Sequence, residues 1–224
     1  MPCQTPPYIQ FDAFGGIPGE RSLRFGGYQG CYTASTLSEV TPLLDTLQSL
    51  CDRGLIVVGF LSYEAACGIN RHLPEGAVLD AFPYAWFAVY SDVVENDAED
   101  DSISNEILQF SESDLSYCAY SHAVQAIRSF IQAGDSYQIN YTMPLIIPFH
   151  GDPKGLYQAV CQGQESSYCA YIDMGRYVIV SASPELFFRT DQDVITTRPM
   201  KGTRARGCEA NDDTLQAAAL AASE

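Results

Sequence analysis

Between positions 168 and 197 four strand-like runs follow one another with almost no chain between them. Residues 168–174 and 177–182 meet near Gly175-Arg176, and residues 185–190 and 193–197 meet at Asp191-Gln192. Connections this short join antiparallel neighbours, since a parallel partner needs a crossover of about a dozen residues or more. Upstream, LIVVGFLSY at 55–63 and YAWFAVYSDVV at 84–94 are β-branched and aromatic runs with the length of buried or half-buried strands. Helical patterns fall among these strands without strict alternation. The chain therefore reads as α+β, with antiparallel β-sheets flanked by helices.

Two helices carry clear apolar stripes. Leu37, Val40, Leu43, Leu44, Leu47 and Leu50 recur at helical spacing behind a cap at Thr36 or Ser38, and Gly54 stops the run. Val124, Ile127, Phe130 and Ile131 line a second helix, expected to begin at His122 and to end at Gly134-Asp135. Residues 136–142 (SYQINYT) read as a polar strand, residues 95–101 (ENDAEDD) as a solvated loop, and Lys154 as a solvated turn residue. Residues 1–110 are expected to form the N-terminal part of the fold and 111–224 the start of a second region. The helix former LQAAALAAS at 215–223 runs to Glu224 without a cap, so the chain is expected to be part of a longer protein.

Charge then narrows the function. Acidic residues outnumber basic ones 28 to 12, for a formal net charge of -16. Such a chain is not expected to bind nucleic acid or an anionic membrane surface. Five of its cations, Arg189, Arg198, Lys201, Arg204 and Arg206, lie between 189 and 206 beside only Asp191 and Asp193, a net +3 that leaves -19 elsewhere. A cationic island in an acidic protein points to a small anionic ligand. No C-x-x-C pair or Cys/His cluster marks a metal site, and the start of the chain lacks a secretory pattern. The expectation is a cytoplasmic protein with reduced thiols.

Chemistry is expected around Glu185 and Lys201. With Asp191-Gln192 as a two-residue loop, Thr190 pairs with Asp193 and Glu185 stands opposite Arg198. Lys201 then follows about 10 Å further along extended chain, closer if Gly202 bends the backbone. A free lysine has a pKa near 10.4, so about one amine in 2,500 is neutral at pH 7. Neighbouring arginines and partial desolvation would lower that value and make a nucleophile. Glu185 would need the opposite shift to deliver a proton.

Three segments resemble, in order and spacing, signatures of the chorismate-binding family. They are Gly134-Asp-Ser-Tyr-Gln-Ile-Asn-Tyr-Thr142, Ala182-Ser-Pro-Glu-Leu-Phe187 and Thr197-Arg-Pro-Met-Lys-Gly-Thr-Arg-Ala-Arg-Gly207; Gly59-Phe-Leu-Ser-Tyr-Glu64 resembles a fourth. The resemblance implies a chorismate-utilising fold of which this chain holds only the first part. It also separates the members: anthranilate synthases typically carry Ala at the position of Lys201, aminodeoxychorismate synthases a lysine nucleophile. Isochorismate and salicylate synthases place a lysine near Tyr137-Gln138. Gln138 and Lys201 together resemble the aminodeoxychorismate type.

In the reaction that this resemblance implies, Lys201 attacks C2 of chorismate and Glu185 protonates the departing C4 hydroxyl. Ammonia from a glutamine amidotransferase then adds at C4 and expels the lysine. The product, 4-amino-4-deoxychorismate, leads to p-aminobenzoate and folate. Asn140, Gly202 and Thr203 match substrate-pocket positions, while Arg198, Arg204 and Arg206 are assigned to substrate carboxylates on electrostatic grounds. The family also uses Mg²⁺; no metal ligand is assigned in these 224 residues, and the isolated chain is expected to be inactive. Leu23-Arg24-Phe25-Gly26 lacks the acid and serine of a tryptophan effector loop, so no tryptophan feedback is expected. Anthranilate synthase component I is the alternative enzyme, and a non-catalytic binding or subunit-interaction module the alternative of another class.

Overall fold

A computed structural model describes residues 6–13, 22–74, 82–95, 116–164, 166–200 and 202–222. Most of the loop at 95–101 therefore lies outside the described residues, as does Lys201. Six strands form one sheet: β1 (Tyr8–Asp12), β2 (Leu23–Ala34), β3 (Ile56–Leu61), β4 (Ala85–Glu95), β5 (Tyr168–Asp173) and β6 (Val178–Ser183). Their order is β3-β4-β2-β1-β5-β6, and every neighbouring pair is antiparallel. Strands from both the first and the second stretch of the chain thus share one sheet.

Period-two alternation gives the sheet two working faces. On one, Ala85 and Val89 of β4 pack with Val40, Leu43, Leu47 and Leu50 of α1 (Leu37–Cys51). These are the apolar positions of the expected helix, each contributing about 1.5–3 kcal/mol on full burial. Its start is fixed by Glu39, whose carboxylate accepts the N–H groups of Ser35 and Thr36 at 2.7 and 3.0 Å. Those backbone donors hold the Glu39 carboxyl below its usual range. On the opposite face Trp86, Ala88 and Tyr90 join Ile9, Val58 and Ile172. The sheet curls over that face: Phe82 stacks on Phe60 of edge strand β3 and meets Tyr177, beside edge strand β6, edge to face, both at 5.3 Å.

Three expectations change. The second helix, α3 (Tyr117–Ala133), starts five positions before His122, because Ser116 accepts the Ala119 N–H as its cap; Gly134, at φ 81°, ends it as foreseen. Residues 136–142 are not a strand: no neighbour offers them a ladder among the described residues, so their extended pattern stays unpaired. Lys154 belongs to a helix, α4 (Pro153–Gln164), with its ammonium 5.6 Å from the Tyr8 ring centroid. Asp152 caps α4 by accepting the Lys154 and Gly155 N–H groups, and Pro153 fits the first helical position. Through Tyr157 and Cys161, α4 packs on Cys169 and Tyr171 of β5.

A short helical turn, α2 (Ala66–Ile69), packs against α1, and Thr41 donates to the Gly68 carbonyl at 3.2 Å. The remaining elements are a two-stranded sheet, β7 (Leu186–Asp191) with β8 (Val194–Arg198), and α5 (Ala210–Ala221). The cysteines among the described residues are free thiols. No helix among the described residues is long and apolar enough to cross a membrane.

Candidate active site

The last residue of β6 begins the site. Ser183 Oγ donates to the Glu185 carbonyl at 2.9 Å and accepts the Glu185 N–H at 3.4 Å, closing a tight turn around Pro184. Buried Ser166 donates its hydroxyl to the Ser183 carbonyl and accepts the Tyr168 N–H at 3.2 Å. The backbone of Glu185 is thereby tied to the end of the large sheet, with the residue itself exposed.

The hairpin register differs from the expected one. Asp191 pairs with Val194, so the loop is Gln192-Asp193, with Gln192 in the left-handed region at φ 51°. A register shift between Leu186 and Arg189 then sets Leu186, not Glu185, opposite Arg198. The cause is local: Asp191-Gln192 is a poor two-residue hairpin loop, and moving the turn along by one position moves every pairing behind it. Glu185 still adjoins the residue that faces Arg198.

The arginines of the island go to different partners. Arg198 Nη1 donates to Tyr168 Oη at 3.0 Å. Arg206 grips Asp213 of α5 with two parallel bonds of 2.6 Å, and the Gly207 N–H adds a third contact at 3.0 Å. Hydrogen bonding from Arg206 and then from Gly207 keeps the Asp213 carboxyl below its ordinary value. Arg204 Nε donates to Gln216 Oε1. Arg204, Arg206, Asp213 and Gln216, with Ala205, Ala217 and Leu220, line a cavity of about 270 Å³. Gly202 bends the chain at φ 71° beside Leu220, and Thr203 is exposed. Asn140 is also exposed and accepts a bond from Gln138 Nε2 at 3.1 Å.

The site therefore joins Glu185 and Arg198 at one end of a hairpin, and Arg204 and Arg206 to the face of α5. Sequence reasoning missed Tyr168, Asp213 and Gln216, whose partners lie 30, 7 and 12 positions away. It also missed a buried polar knot. Asp12 accepts bonds from Tyr157 Oη at 2.7 Å, from Arg24 at 3.2 Å and from Gln10. Burial works to raise the Asp12 pKa, yet the bonds from Tyr157, Gln10 and Ser22 and the charge of Arg24 outweigh it and lower the value. Among the described residues no group of three or more His, Cys, Asp or Glu is gathered to hold a metal ion.

The family described as chorismate binding enzyme matches residues 24–224. Anthranilate synthase component 1 of Thermus thermophilus is 39% identical over 102 residues, 46% of this chain and 22% of that protein. An anthranilate synthase component 1 of Haloarcula marismortui is 32% identical over the same share of this chain and 20% of its own. Aminodeoxychorismate synthase component 1 of Klebsiella aerogenes is 29% identical over 46% of this chain and 23% of its own. The matched segment thus spans about a fifth of the length of these relatives.

Proposed function

The chain belongs to the chorismate binding enzymes, and on that premise we propose that it forms part of an aminodeoxychorismate synthase component I. The observation that carries this reading is Lys201, in Thr197-Arg-Pro-Met-Lys-Gly-Thr203, where anthranilate synthases typically have alanine. The hairpin supports it by keeping Glu185 next to the pairing of Leu186 with Arg198, three residues before Lys201. In this reading the neutral Lys201 amine attacks C2, electrons shift through the ring, and the C4 hydroxyl leaves as water with the Glu185 proton. Ammonia adds at C4, and the lysine leaves C2 with its electron pair. Two moderate displacements replace one difficult one. Ammonia would come from a glutamine amidotransferase, and Mg²⁺ ligands from outside these 224 residues.

The test is the product made from chorismate, Mg²⁺ and ammonia by the complete enzyme. Aminodeoxychorismate is expected from the wild type, and Lys201→Ala is expected to abolish it. Undiminished formation in the variant would remove the nucleophile. The second reading, anthranilate synthase, is favoured by the higher identity to relatives of that name, 39% and 32% against 29%. Fluorescent anthranilate as the wild-type product would establish it instead.

A further inference from the structure

Polar contacts at the end of the large sheet form a relay that starts in the core and stops at Glu185. Ser166 is 3% exposed, and its hydroxyl donates to the Ser183 carbonyl while accepting the Tyr168 N–H at 3.2 Å. Tyr168 and Ser183 are register partners, the first residue of β5 and the last of β6, so one side chain serves both strands at the rung where their ladder ends. A serine hydroxyl suits this place because one small group both gives and accepts a bond. The Ser166 backbone is held as well, since the buried Cys169 thiol donates to its carbonyl at 3.4 Å. From Ser183 the relay passes outward: its Oγ donates to the Glu185 carbonyl at 2.9 Å and accepts the Glu185 N–H at 3.4 Å.

We propose that Ser166 is a positioning residue for Glu185, acting through Ser183 and never on the substrate; this rests on the reading of Glu185 as the proton donor of a chorismate-utilising enzyme. A general acid works only within hydrogen-bond reach of the atom it protonates, and a displacement of about 1 Å can cost about a hundredfold in rate. Glu185 is exposed and sits in a turn, so the precision has to come from its backbone. The Ser183 peptide supplies it, fixed at its carbonyl by Ser166 and bonded through its side chain to both backbone groups of Glu185. Without the Ser166 hydroxyl, the Ser183 carbonyl and the Tyr168 N–H each lose a bond where water has little access, and rotation of that peptide carries Glu185 with it. The relay is anchored on β5, which is paired on both sides by β1 and β6, so it draws on neither the hairpin nor α5.

The test follows chorismate disappearance in the complete enzyme, so the result does not depend on which amine is formed. Ser166→Ala and Ser183→Ala are each expected to lower kcat about tenfold with KM within about twofold, a part of the roughly 10²–10⁴-fold that a placed general acid supplies. Ser183 is only half-buried, and its variant carries the test should Ser166→Ala fail to fold. In a Glu185→Gln background neither serine change is expected to lower kcat further by more than about twofold, whereas a merely structural weakening would still multiply with the loss of the acid. Unchanged kcat in a folded Ser166→Ala or in Ser183→Ala, or losses that multiply with that of Glu185→Gln, would overturn the positioning role while leaving the enzymatic reading in place. A Glu185→Gln variant as active as the wild type, or a wild type that does not consume chorismate, would overturn both.

Discussion

Gly59 lies in β3 opposite Phe87 of β4, and a Cβ there would stand 2.0 Å from the Trp86 carbonyl oxygen and 2.7 Å from the Phe87 Cα. Backbone cannot yield as a flexible side chain would. Gly59→Ala is expected to cost about 1–3 kcal/mol, read as a lower urea midpoint at an unchanged slope. Gly207 is constrained in the same way by the start of α5, where a Cβ would meet the Asp213 nitrogen at 2.2 Å. Both glycines were visible in the motifs, yet a motif shows only that glycine is present. That packing excludes any side chain at these points follows from the neighbouring strand and helix. Tyr168 is the converse case: nothing in residues 166–171 marks its hydroxyl for Arg198, since the partner lies 30 positions away.

Among the elements, α1 was the most legible, because its apolar stripe, its cap and its stop signal agree. α4 went unread although Asp152-Pro153 signals a helix start, because Gly155, Gly163 and three glutamines dilute the stripe behind it. The β7-β8 hairpin was legible in existence and not in register, which the turn and the shift between Leu186 and Arg189 set together. Its surface is open, with Phe187 86% and Ile195 71% exposed, and a two-stranded sheet has little stability of its own. Among the described residues, Arg206 and Asp213 form an ion pair that clamps α5 to the chain before it. Arg206→Gln or Asp213→Asn is expected to loosen residues 202–222 at neutral pH, with faster limited proteolysis there and none of that change in β2 or β4.

At the scale of the molecule, two devices draw distant parts together. Phe60, Phe82 and Tyr177 bring the edges of the large sheet toward each other, and Asp12 ties β1 to β2 through Arg24 and to α4 through Tyr157. The knot makes a pH prediction. The Asp12 pKa is lower in the folded chain than its ordinary 3.8, so its contribution is present above the unfolded value and is lost as pH falls through the folded one. Urea midpoints are expected to drop below about pH 4 in the wild type. Asp12→Ala should lose that part of the pH dependence and about 3–5 kcal/mol at neutral pH, because Arg24 and Tyr157 would keep buried polar groups without their acceptor. From the sequence Asp12 was one of 28 acids. Composition, periodicity and ordered motifs by themselves determined the α+β class, the principal helix, the cationic island and the family, since each is written in local spacing. Tertiary structure alone decided the sorting of the arginines between Tyr168, Gln216 and Asp213, and the burial of Asp12. Each of these depends on groups that belong to different elements, and the way those elements are connected and packed sets the distances between them.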